Sequence, residues 1–111
     1  MGMTKLLLVL ALAASSLHHM TWTERLAVHR AVADHLKSEH SPVKEFSVIQ
    51  ADAMGAYVRA RIQPLPIGKT DPATAILKRD KGSWKVLVLG TMLGAETLKH
   101  YGVPKELGGQ P

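Results

Sequence analysis

Residues 56–63 alternate without a break: Ala56, Val58, Ala60 and Ile62 take one parity, and Tyr57, Arg59, Arg61 and Gln63 the other. Successive side chains of a strand point to opposite faces, so this stretch has one apolar face and one cationic face. That is the pattern of an antiparallel strand with a core on one side and solvent on the other. A chain built around it must bring a second layer to the apolar side. No disulfide assists, because the 111 residues contain no cysteine. A small domain without disulfides rests on its apolar core alone, and thiolate nucleophiles and thiolate metal ligands are excluded.

The second layer is a helix. Thr21-Trp22-Thr23-Glu24 matches the capping box, with Thr21 capping the first turn and Glu24 reaching back to its amide. Trp22, Leu26, His29, Ala33 and Leu36 follow at helical spacing with Val32 beside them, which predicts a helix over residues 22–39 with that stripe turned inward. Ser41-Pro42 ends it, since the residue before proline avoids the helical region. Strands are expected over residues 44–51, carrying Phe46, Val48 and Ile49, and over residues 56–63, with Asp52-Ala53-Met54-Gly55 as the turn between them. A proline-rich loop over residues 64–72 leads to a second hairpin, residues 73–79 and 84–89, joined by a three-residue loop Asp80-Lys81-Gly82 with Gly82 left-handed.

In the last strand Trp84, Val86 and Val88 face one way and Leu87 and Leu89 the other. Two leucines on an outer sheet face call for a cover. The C-terminal segment supplies it through Leu93, Leu98, Tyr101, Val103 and Leu107, with a short helix over residues 95–100 ended by Gly102 and Pro104 just beyond. The expected fold is α+β: one long helix on a four-stranded antiparallel sheet (α-β-β-β-β), then a short C-terminal helix. Trp22, Leu26, Leu36, Val58, Ile62, Trp84 and Val86 are expected to share one core.

Residues 73–91 read ATAILKRDKGSWKVLVLGT, with Tyr101-Gly102-Val103-Pro104 after them. On this stretch and the overall architecture the chain resembles the cystatin-like superfold, including small exported bacterial domains of unknown role. The resemblance covers the last third of the chain by motif and the remainder by architecture. It implies a fold and no activity. Protease inhibition of the cystatin type would need a Gln-x-Val-x-Gly first hairpin. Here Gln50-Ala51-Asp52-Ala53-Met54-Gly55 is one residue longer, Asp52 stands in the valine's place, and no glycine stands between the leader and the helix as a trunk.

The N-terminus reads as a secretory leader. Met1-Gly2-Met3-Thr4-Lys5 is short and positive, residues 6–14 are uninterruptedly apolar, and Ser15-Ser16 are small. The apolar run falls short of the roughly 20 residues a spanning helix needs, so no transmembrane span remains after removal. Cleavage after Ala13, Ser15 or Ser16 fits, and the absence of cysteine excludes lipid attachment there. The competing reading is a buried N-terminal helix of a cytosolic protein; it is weaker because residues 6–14 offer no polar face to solvent. The expected organisation is a leader over residues 1–16, one domain over 17–107, a disordered tail over 108–111, and a secreted or periplasmic location.

The formal net charge is +5, and the leader holds only Lys5 of the cations. The cations are spread along the chain, with Lys78-Arg79 the one tight pair, a distribution that does not point to specific nucleic-acid binding. Tyr57, Arg59 and Arg61, with Lys78 and Lys85 from the second hairpin, form a candidate face for an anionic envelope component or an acidic protein surface. The plain alternative is an ordinary solvated face.

Six histidines raise a metal question. His29, His35 and His40 lack the i, i+4 spacing of two imidazoles on one ion, and His35 with Glu39 reads as a surface contact. Cleavage after Ser15 or Ser16 would place His18 or His19 third in the mature chain. A free amine, two deprotonated amides and that imidazole make a square-planar set for Cu(II) or Ni(II); no other cofactor is expected. No nucleophile elbow and no Ser/His/Asp constellation is evident. The functional expectation is an exported, non-enzymatic binding or interaction module. The alternatives are a structural or stress-related envelope protein without ligand, and a small enzyme using a helix/sheet cavity.

Overall fold

The computed structural model describes residues 16–108. Apart from Ser16 the expected leader lies outside the described residues, and so does the expected tail apart from Gly108. The elements are β1 (His18–His19), α1 (Trp22–Ser38), β2 (Phe46–Met54), β3 (Tyr57–Pro64), β4 (Ala73–Asp80), β5 (Ser83–Gly90), α2 (Ala95–His100) and a 3₁₀ turn (Lys105–Leu107). The five strands form one antiparallel sheet in chain order, and α1 lies across one face, so the protein is α+β. Among the described residues no helix is long and apolar enough to cross a membrane.

The sheet has one strand more than the four expected. β1 pairs His18 with Ala53 and His19 with Asp52, and Met20 N–H continues the contact by donating to Ala51 O at 2.9 Å. Met20 is itself buried in the core. Two residues are too few to display an alternation, and these two are exposed histidines, so the strand owes its existence to its neighbour β2 and to Met20 rather than to a pattern of its own.

Helix α1 begins as expected. The Thr21 hydroxyl accepts from Glu24 N–H at 3.2 Å and a Glu24 carboxylate oxygen accepts from Thr21 N–H at 2.8 Å. Its inner face is rotated from the expected stripe. Val28 and Val32 are fully buried and Leu36 packs beside them, whereas Trp22 is 69% exposed and Leu26 is 52% exposed. The small side chains Ala51, Ala60 and Ala75 on the sheet let the helix approach closely. Val28 and Val32, at i, i+4, fill the space above them. At its C-terminus His40 takes the left-handed conformation (φ 53°), with His40 N–H donating to Lys37 O and Ser41 N–H to Leu36 O. That is a Schellman ending with histidine where glycine is usual.

Both hairpins are tighter than expected. β2 continues through Asp52 to Met54 and turns at Gly55-Ala56, with Gly55 at φ 59°, so Asp52 is a strand residue and Ala56 a turn residue. β4 and β5 join through Lys81-Gly82 alone, both at positive φ (53° and 85°), as a type I′ turn demands.

Each hairpin also contains a bulge. In β2 the register shifts between Val48 and Gln50, leaving Ile49 as the extra, 50% exposed residue. Phe46 and Val48 face the helix before it; Ala51 and Ala53 do so after it, which turns Gln50 and Asp52 outward. In β5 the shift falls opposite Ile76-Leu77, where Val86 pairs with Leu77 and Val88 with Ile76. Trp84, Val86 and Leu89 therefore join the helix-side core, while Leu87 and Val88 join a second cluster. The expected facings of Val88 and Leu89 are exchanged, because an extra residue reverses the parity of everything after it.

The second cluster is the expected cover. Ile76, Leu98, Val103 and Leu107 are buried together on the outer face, with Met54, Tyr57, Leu87 and Leu93 around them. Helix α2 ends at Gly102 (φ 75°) with Val103 N–H donating to Leu98 O at 3.0 Å. Of the seven residues expected to share one core, Val58 and Ile62 are buried, Leu36, Trp84 and Val86 are half-buried against it, and Trp22 and Leu26 are outside it.

Candidate cationic cleft on the outer sheet face

The alternation in β3 puts Tyr57, Arg59 and Arg61 outward, as read from the sequence, and the C-terminal cover divides them. Tyr57 is half-buried; its hydroxyl donates to Tyr101 O at 3.1 Å and the Lys78 ammonium sits 5.4 Å from its ring centroid. Tyr57 pairs across the strands with Lys78, and Lys78 with Lys85. These three residues form one group, with Lys78 and Lys85 lining a shallow hollow beside Leu87.

Arg59 and Arg61 form another group. They line a polar depression of about 190 Å³ with Gln50, Asp52 and Thr74. Register explains the set: Arg59 stands between Asp52 and Ile76, and Arg61 between Gln50 and Thr74. The β2 bulge is what delivers Gln50 and Asp52 to this face. Asp52 is held from two sides, by the His19 imidazole and by Gln50 Nε2, which donates to its Oδ2 at 3.1 Å. Among the described residues neither Arg59 nor Arg61 has an ion-pair or hydrogen-bond partner for its guanidinium. The chain passes over the Arg59 side chain at Gly108 (φ 131°), where an added Cβ would meet Arg59 Cδ at 2.7 Å and the guanidinium carbon at 2.8 Å. The left-handed φ is what favours glycine there.

The histidine pair considered for copper or nickel sits at the sheet edge. His18 Nε2 lies 2.9 and 3.1 Å from the two Glu24 oxygens, and His19 contacts Asp52. Both rings are thus engaged by carboxylates, His18 through Nε2 and His19 through Nδ1. Glu24 is held down to about 2, first by the Thr21 N–H and next by the His18 ring, both of which favour the carboxylate. His29 stacks on Phe46 with ring centroids 4.2 Å apart and its Nε2 is 3.2 Å from Phe46 O, a packing role. His35 and Glu39 approach to 4.0 Å.

A surface hollow of about 760 Å³ lies away from this face among Pro42, Lys44, Glu45, Leu65, Pro66 and Lys69. The sequence pointed to Arg59 and Arg61 through strict alternation. It concealed Gln50 and Asp52, whose parity depends on a bulge, and Thr74, whose place depends on register; the one available signal was the shift of apolar residues from even to odd positions between Val48 and Ala51. Comparison with family models, with curated proteins and with solved structures returned no match for this chain.

Proposed function

We propose that this chain is an exported, non-enzymatic binding module of cystatin-like α+β design, whose outer sheet face takes an anionic envelope component or an acidic protein surface. The observation that carries the reading is the pair Arg59 and Arg61, lining one open polar depression with no ion-pair partner among the described residues. Guanidiniums are weakly hydrated and offer planar forks to carboxylate, sulfate or phosphate, so leaving two of them unpaired side by side favours an external anion. Lys78 and Lys85 add positive potential along the same sheet.

The test is binding of the purified domain to immobilised acidic polymer, with and without Arg59→Gln and Arg61→Gln. The double variant should keep its fold, since exposed substitutions shift stability by no more than about 0.5 kcal/mol, and should lose most of its binding. Retention by the parent domain should fall as salt shortens the screening length from about 8 Å at physiological strength. Binding indifferent to both changes would refute the reading.

A further inference from the structure

The composition of the Arg59/Arg61 depression is more specific than a basic patch. A surface that attracted polyanions by charge alone would do better without Asp52, yet that carboxylate lies inside the depression, cross-strand from Arg59 and fixed by His19 and Gln50. Two guanidiniums and one carboxylate leave one net positive charge, so the complementary ligand carries a single net negative charge. The remaining polar atoms ask for donors. Asp52 is acceptor-only when ionised, the Gln50 amide spends one N–H on Asp52 and keeps its other N–H and its carbonyl oxygen, and Thr74 contributes a hydroxyl that both gives and takes. A bare inorganic anion such as sulfate or chloride has no hydrogen to offer them, and a protonated one such as bicarbonate or dihydrogen phosphate offers only one or two O–H groups to three acceptor groups. A zwitterion such as a free amino acid has donors but no net charge to match. A monoanion carrying several hydroxyls satisfies both requirements.

Size narrows the choice further. About 190 Å³ is below the roughly 300–1,000 Å³ of a drug-sized ligand site, and the depression is open to solvent. It suits one ring of a longer chain lying across the sheet. We propose that the depression is a subsite for one uronic-acid residue of an acidic polysaccharide: the sugar carboxylate pairs with Arg59 and Arg61, and its ring hydroxyls donate to Asp52 and to the Gln50 carbonyl and exchange a hydrogen bond with Thr74. The inference rests on the anion-binding reading above and adds the ligand class.

Asp52 separates the two ideas, because its carboxylate helps a hydroxylated ligand and repels a bare polyanion. The experiment is calorimetric titration of the domain with a short glucuronic-acid oligosaccharide, a neutral glucose oligomer of equal length, and inorganic polyphosphate. The acidic oligosaccharide should bind and the neutral one should not. Asp52→Asn should weaken the acidic sugar about tenfold, the scale of one hydrogen bond to a charged group, and should tighten polyphosphate.

Thr74→Val, which keeps the shape of the side chain, should weaken the acidic sugar several-fold and leave polyphosphate unchanged; it decides the matter if Asp52→Asn misfolds. Tighter or unchanged acidic-sugar binding in Asp52→Asn, or equal losses for both ligands in Thr74→Val, would overturn the sugar subsite while leaving the cationic face standing. Acidic-sugar and polyphosphate binding that both survive Arg59→Gln with Arg61→Gln would overturn the face itself.

Discussion

Ile76 and Leu77 are chain neighbours, both fully buried, and they anchor opposite sides of the sheet. Leu77 belongs to the helix-side core, where Val28 and Val32 of a seventeen-residue helix meet Val58, Ala60, Ile62 and Ala75. Ile76 belongs to the cover-side cluster, where a six-residue helix, a 3₁₀ turn and the link between them contribute Leu98, Leu107 and Val103 respectively. The first is two regular layers packed along their length. The second is a short segment of two small helical turns, hydrogen-bonded within itself and held to the sheet by a few large side chains. The difference teaches that this fold has a load on one face and a lid on the other, and that the cationic cleft sits where the lid ends, beside Gly108.

The comparison can be broken at several strengths. Leu77→Ala should cost about 3–5 kcal/mol and lower the global unfolding midpoint, as truncations of fully buried leucines do. Leu107→Ala should cost less, about 2 kcal/mol, and act locally: amide exchange should quicken at Gly102 and Val103 while β3 and β4 stay protected. Equal global losses in the two variants would mean that the faces unfold as one unit.

Two backbone-level changes come next. His40→Gly should stabilise by about 1 kcal/mol in chemical denaturation, because it relieves a left-handed residue at the end of α1. Tyr57→Phe should destabilise by about 1 kcal/mol by removing the hydroxyl that donates to Tyr101 O, and the effect should appear in the exchange of the cover alone.

Glu24 tests the helix start by pH. Its carboxyl is lowered from 4.5 to about 2 in the folded chain, so the folded state favours the ionised form. The capping contribution is therefore present above about 4.5 and is lost as pH falls toward 2. Glu24→Gln should flatten stability against pH across that window; an unchanged slope would show that the box contributes nothing. The smallest effect expected is that of Trp22→Ala, within about 0.5 kcal/mol by thermal melting, because the indole is 69% exposed. A large loss there would restore the rotation of α1 first read from the sequence.

Much of the site was legible in one strand. Arg59 and Arg61 followed from unbroken alternation, and alternation is reliable where no bulge intervenes. Gln50 and Asp52 were not legible, because the bulge at Ile49 reverses parity and Asp52 read as a turn residue. The same failure exchanged Val88 and Leu89 in β5. The helix was legible in extent and capping yet misread in rotation: its apolar residues span a wide arc, and the stripe chosen included the largest side chains rather than those that fit above alanines.

By itself the sequence determined the elements: the helix with its capping box, the two hairpins, the short C-terminal helix closed by Gly102, and the outward arginines. These are local matters, decided by periods of 3.6 and 2.0 and by the backbone needs of caps and turns. Only the tertiary structure decided which stripe of α1 faces inward, where β2 and β5 slip by one residue, that His18 and His19 add a fifth strand, and that Asp52 joins the arginines. Those outcomes turn on the volume left between layers and on pairing between strands, and neither is a property of any single segment of the chain.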